Sequence, residues 1–150
     1  MLNASEHTFK ELEQKITTYE RGTSLLYLTM FEDVTGQRHT IEESVALLAR
    51  SAKVPVYRAS IGGIGQGLLG GAMISYVDQG KIAAEMAIRI LDGESPSNIQ
   101  PMMESPNRVI LDALALHKYK IPMRRVPDDT IVLHAQKNLF VENAGLVLTI

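Results

Sequence analysis

Gly62-Gly63-Ile64-Gly65-Gln66-Gly67-Leu68-Leu69-Gly70-Gly71 comes shortly after the apolar run Val54-Pro55-Val56-Tyr57, and its reading decides the fold. Gly65, Gly67 and Gly70 spell G-x-G-x-x-G, which in a dinucleotide-binding fold opens a helix whose free N–H groups hold a pyrophosphate. The same residues also suit a loop in which bare backbone approaches a small solute at the mouth of a cleft, or a plain flexible connection. The residues after the glycines separate these readings. A nucleotide helix has to begin near Gly67, yet Gly70 and Gly71 would each weaken it by about 1 kcal/mol relative to alanine. The clear helical pattern begins only at Asp78. The acid expected to hold a ribose, about 20 residues on, is Glu85, which falls inside that helix. A loop followed by a short strand over residues 71–76 fits better.

Working outward, Phe9, Leu12, Ile16 and Tyr19 recur at helical spacing in a segment that stops at Gly22. Residues 24–30 form a nearly continuous apolar run, predicted as a strand buried on both faces of a parallel sheet. Thr40-Ile41-Glu42-Glu43 is a capping-box pattern opening a helix with Ile41, Val45 and Leu48 on its apolar stripe. Residues 53–59 read as the next strand, with Pro55 at its entry. The helix capped by Asp78 runs to Leu91, with Ile82, Ala83, Met86, Ala87 and Ile90 as its expected buried stripe and Gly93 as its stop. Residues 94–105, holding Pro96 and Pro101, read as a surface loop. A strand over 108–111, a short helix over 112–119 and a last strand over 130–134 complete the order. Alternating strands and helices imply an α/β fold, a three-layer Rossmann-like lobe with a mostly parallel sheet. Ligands of such sheets sit outside the carboxyl ends of the strands.

Composition narrows the function. The chain has 150 residues, 45% hydrophobic and 21% charged, which suits one α/β domain with a substantial core. A formal charge of −2 leaves no basic footprint for nucleic acid. Sparse aromatics and the absence of Trp argue against single-strand stacking platforms. With no cysteine there is no disulfide, thiolate or zinc–sulfur chemistry. Residues 1–5 have neither a basic nor an apolar signal-peptide region. The ending Gly145-Leu146-Val147-Leu148-Thr149-Ile150 reads either as a short strand or as the start of a longer apolar segment.

Few side chains carry chemistry. Glu32 and Asp33, at the carboxyl end of the first strand, could do acid–base work, bind a cation or hold an amine or hydroxyl, or simply form a solvated turn. His7, His39, His117 and His134 match no metal-ligand spacing. Ser60 lies in no nucleophile elbow. No catalytic constellation emerges, no cofactor is expected, and the chain reads as non-enzymatic.

The phrases Leu25-Leu26-Tyr27-Leu28-Thr29-Met30-Phe31-Glu32-Asp33, Val54-Pro55-Val56-Tyr57 and Gly63-Ile64-Gly65-Gln66-Gly67-Leu68-Leu69-Gly70-Gly71 resemble the solute-binding proteins of ABC transporters with the type I periplasmic-binding fold. The likeness continues through residues 77–87 and Leu91-Asp92-Gly93-Glu94-Ser95-Pro96. It ends with Glu104-Ser105-Pro106-Asn107-Arg108 and Tyr119-Lys120-Ile121-Pro122. Gly70-Gly71 and residues 104–108 are similar, more narrowly, to the branch that serves as extracytoplasmic sensor of a membrane histidine kinase in a two-component system.

The resemblance implies a bilobal module closing on a small-molecule solute, with residues 1–134 as its C-terminal lobe. Residues 135–150 would then be a tail leading toward a transmembrane segment or a returning strand. The implied partners are the solute, a missing N-terminal lobe and a membrane-anchored signalling domain, with a homodimer through the bare inter-lobe face as a further expectation. Nucleic acid is not among them. The implied location is extracytoplasmic, as the periplasmic portion of an inner-membrane protein. A free or lipid-tethered transporter component stays open as the alternative, and a nucleotide-dependent Rossmann enzyme as the alternative of another class. Carried over by position, the ligand-binding residues of this lobe are Phe31, Glu32, Asp33, Tyr57, Arg58, Gly65, Gln66 and Asp78. Relatives that take amino acids carry Thr-Asp-Asn after the first strand. Here Met30-Phe31-Glu32-Asp33-Val34-Thr35 departs from that phrase, which argues against an amino-acid ligand and leaves neutral, positively charged and hydroxylated solutes open.

Overall fold

The computed structural model describes residues 2–60 and 62–135. The tail expected over 135–150 lies, from residue 136 on, outside the described residues. The elements are α1 (Phe9–Thr17), β1 (Leu25–Tyr27), α2 (Ile41–Ser51), β2 (Val56–Arg58), β3 (Gly70–Ile74), α3 (Tyr76–Leu91), β4 (Asn107–Asp112), α4 (Ala113–Lys118) and β5 (Ile131–Leu133). They build one sheet in the order β1-β2-β3-β4-β5. β1–β2, β2–β3 and β4–β5 are parallel, and β3–β4 is antiparallel. The fold is the mostly parallel α/β lobe that the element order implies.

Local chemistry sets the helix starts. Thr8 and Thr40 each accept a hydrogen bond from the backbone three residues on, while Glu11 and Glu43 reach back to the cap amides. Both helices lie on one face of the sheet. Phe9, Leu12 and Ile16 of α1 and Val45, Leu47 and Leu48 of α2 close a core over Val56 and Leu68. Ile41, expected on that stripe, sits at its rim and is exposed. Along β2 the side chains alternate. Val56 and Arg58 are buried, whereas Tyr57 packs with a second core of Leu69, Leu111, Ala115 and Leu116.

Three expectations are corrected. β1 is not buried on both faces: Leu26 is 62% exposed, because β1 is the terminal strand of the sheet order. α3 has no buried residue at all. Ile82 and Met86 are half-buried, and Ala83, Ala87 and Ile90 are exposed. An apolar stripe states that a face seeks cover, not which element supplies it. Among the described residues none does. The helix also starts earlier than its sequence suggests, because Ser75 and not Asp78 is the cap, its Oγ accepting from Asp78 N at 3.3 Å.

The glycine stretch makes the β2–β3 crossover. Parallel strands are usually joined through a helix, but here residues 62–69 run as a loop. The loop passes Arg58 and Ile41 at Gly62 and has reached the far end of α2 by Gly67, where an added Cβ would lie 2.6 Å from Ala49 Cβ. Gly67 has φ +107°, outside any helix. The next element after the loop is strand β3, and α3 begins only at Tyr76. The motif glycines open no helix, so the pyrophosphate cradle suggested by their spacing is not formed.

Gly80, inside α3, has nothing within 4 Å of an added Cβ. Gly80→Ala should stabilise that helix by about 0.5–1 kcal/mol. The expected readout is slower amide hydrogen exchange in α3, by about two- to fivefold.

Candidate functional site

β1, β2 and β3 run the same way, so their carboxyl ends share one edge of the sheet. Phe31, Glu32 and Asp33 follow β1, Arg58 ends β2, and Asp78 lies in the first turn of α3, just after β3.

The acids at this edge have fixed partners. Asp33 is 5% exposed. It accepts hydrogen bonds from Phe9 N at 3.0 Å, Thr35 N at 2.8 Å, Thr35 Oγ1 at 2.6 Å and Gln37 N at 3.1 Å. These bonds tie the turn to the N-terminus of α1, where a negative charge is favoured. The Thr35 hydroxyl, and then the three amides, hold the Asp33 carboxyl below the usual carboxylate range. Because the folded state depresses this pKa, its stabilising contribution is present above the unfolded value of about 3.9 and is lost as pH falls through the folded value. Asp33→Asn should therefore lower stability at neutral pH and flatten its acid dependence. Guanidinium melts of both proteins at pH 7 and about pH 3 test this, the two converging at the lower pH.

Glu32 pairs with Arg38 at 2.6 Å, and both side chains are largely in solvent. Such a pair contributes about 0–1 kcal/mol. Asp78 accepts from Ser75 Oγ at 2.6 Å and from Arg108 Nε and Nη2 at 2.6 and 3.0 Å. Arg108 is the main cause of its lowered pKa. It fastens α3 to β4.

Arg58 is arranged differently. It is 6% exposed, and its Nη1 donates to Gly62 O at 3.1 Å. Its guanidinium carbon lies 5.0 Å from the centre of the Tyr27 ring. Tyr27 is its register partner on β1. Among the described residues, no carboxylate pairs with it.

The structure therefore brings Phe31, Glu32, Asp33, Arg58 and Asp78 to one edge, with Phe31 53% exposed there. Tyr57 faces the opposite side of the sheet from Arg58. Gly65 and Gln66 lie toward the amino end. There an added Cβ on Gly65 would meet His134 Cε1 at 2.6 Å. His134 Nδ1 bonds Asp112 Oδ2 at 2.6 Å, and Asp112, 1% exposed, caps α4 by accepting from Ala115 N at 2.8 Å. Sequence reasoning had no access to this pair. It depends on the register that sets Asp112 beside Leu133. A groove of about 710 Å³ also runs along the open side of β1, from residues 2–5 to Phe31 and Glu32. Among the described residues, no three His, Cys, Asp or Glu side chains are placed to hold a metal ion.

A family model described as ABC transporter substrate binding protein matches residues 6–137. Among solved structures, the chain is similar to the ligand-free, open form of a substrate binding protein with adhesive properties from Clostridium difficile. The TM-score is 0.62 at 24% identity, over 84% of this chain and 41% of the other. At that identity the likeness speaks for the fold. No curated protein matches the chain significantly.

Proposed function

The chain belongs to the ABC transporter substrate-binding protein family, and from that premise we propose that it is one lobe of an extracytoplasmic, non-enzymatic solute-binding module. The observation that carries this reading is the shared carboxyl edge of three parallel strands. Phe31 and Arg58 stand there unclaimed by the ion pairs that occupy Glu32 and Asp78. With its acids committed to caps and pairs, that edge is suited to holding a ligand and poorly suited to moving protons.

The module has a second lobe in this reading. The chain spans 41% of the solved relative it matches. Two surfaces favour such a partner: α3, with Val77 69%, Ile88 56% and Leu91 84% exposed, and the open rim of β1. Closure of the lobes on a solute stems from contacts available only in the closed state. The lobe alone should then bind weakly.

Between the transporter component and a sensor of a membrane kinase, the family match favours the transporter. The sensor reading rests on Gly70-Gly71 and residues 104–108 alone. Nuclear magnetic resonance of the 150-residue chain against a panel of small polar solutes tests solute binding. The expected result is saturable shifts confined to Phe31, Arg58 and Gly62. Shifts confined to residues 2–5 and 24–26 of the β1 groove, with Arg58 and Gly62 unmoved, or none with any solute, would defeat the reading.

A further inference from the structure

We propose that Arg58 is the specificity-determining residue of this lobe and that the solute carries an oxyanion group, a carboxylate or phosphate, which pairs with its guanidinium. The inference rests on the solute-binding reading.

Charge is out of balance at the end of β2. Arg58 is almost wholly removed from solvent, yet its cation has no anionic partner among the described residues. Burial of an uncompensated charge is strongly unfavourable. A guanidinium presents five donors. One Nη1 bond to Gly62 O is formed at 3.1 Å, whereas Nε is closed off from water with no acceptor. The ring of Tyr27, 5.0 Å away, offsets part of the charge. Tyr27 Oη is itself buried without a partner.

Among the described residues, the acids near the start of α2 do not pair with Arg58 either: Glu43 accepts from the Thr40 amide at 2.7 Å, and Glu42 beside it is exposed. Ile41, the first residue of α2, has its Cγ2 3.9 Å from the Cβ position of Gly62, and the same position is 2.8 Å from Arg58 Nη1. The guanidinium therefore lies near the first turn of α2, where backbone amides point outward and Glu42 and Glu43 are also found. The acids that come after the neighbouring strand are occupied. Glu32 is held by Arg38, and Asp33 by four donors around α1. A buried cation beside a helix N-terminus, with spare donors on Arg58 and Tyr27, is matched by an anion arriving from outside. Bidentate guanidinium–oxyanion geometry supplies the fit. This reverses the ligand charge suggested by Glu32 and Asp33 in the sequence.

The test tracks the Arg58 Nε–Hε resonance of the 150-residue chain during titration with succinate, inorganic phosphate, glycerol, or sodium chloride at matched ionic strength. The expected result is a saturable shift with succinate or phosphate and none with glycerol or chloride. Arg58→Gln should weaken that binding about tenfold or more, and Arg58→Lys by less. Thermal melts of both variants establish that they are folded. Equal responses to chloride and the oxyanions would overturn the proposal. So would binding to Arg58→Gln as tight as to the wild-type chain. An unmoved Arg58 alongside glycerol-induced shifts at Phe31 and Gly62 would overturn the proposal while leaving solute binding intact. Silence toward every solute in the wider panel defeats both.

Discussion

Gly70→Ala is expected to leave the chain without a cooperative native sheet. Gly70 lies between two strands, opposite Tyr57 of β2 and Leu111 of β4. An added Cβ would lie 2.0 Å from Ile110 O and 3.0 Å from both Ile110 C and Leu111 Cα. All three are backbone atoms of a paired strand, so no rotamer change relieves the overlap. The φ of +112° adds strain for any residue with a Cβ. Relief requires β4 to separate from β3, which uncovers Leu111 and Leu69 of the second core. A loss of about 4 kcal/mol or more is expected, comparable to the whole stability of many small domains. Circular dichroism and a denaturant melt read it directly. Gly80→Ala is the matched control, the same substitution in open space. A Gly70→Ala protein melting like the wild type would refute the β3–β4 register.

Leu68→Ala should be the most damaging single truncation in the loop, costing about 2–5 kcal/mol. Leu68 is 0% exposed. It anchors the crossover: an added Cβ on Gly63 would meet Leu68 Cδ1 at 2.5 Å and Val45 Cγ2 at 3.1 Å. Close packing of this kind leaves a cavity when the side chain is cut back. The loop holds Gly62 O against Arg58, so loosening it should also disturb that contact. Equilibrium melts give the stability loss. Faster hydrogen exchange at Leu68 N and Gln66 N, which donate to Gly63 O at 3.2 and 3.1 Å, reports the loop. A change below about 1 kcal/mol would mean that the loop is not packed in this way.

Much of the fold was legible from local patterns. The Thr40 and Glu43 box, the stripe of Phe9, Leu12 and Ile16, and the strand after the glycines each depend on neighbours within a few residues. These signals act through backbone donors and side-chain period, which are local properties. The misread parts depend on what lies across the sheet. The apolar run around β1 looks like a central strand until the strand order places it at an edge. The α3 stripe looks like a core face until nothing among the described residues covers it.

The candidate site divides in the same way. Its edge was predictable, because parallel strands present their carboxyl ends together. Charge alone marked Glu32 and Asp33 as the interesting pair, yet their roles came from partners distant in sequence or from loop closure: Phe9 for Asp33 and Arg38 for Glu32. Arg58 was named in the sequence only by position, as one of eight ligand-binding residues that the resemblance carries over, with nothing to set it apart from the others. Its character comes from Tyr27 beneath it and from the turn of the loop at Gly62.

The order of residues by itself determined most of the elements, the mostly parallel sheet and the glycine loop that replaces a crossover helix. These depend on period, capping and the backbone freedom of residues lacking a Cβ. Only the tertiary structure decided which charges are neutralised and which stay alone. Burial and pairing are set by chain segments that meet across the sheet, and a cation at the end of β2 with no carboxylate partner among the described residues is the result.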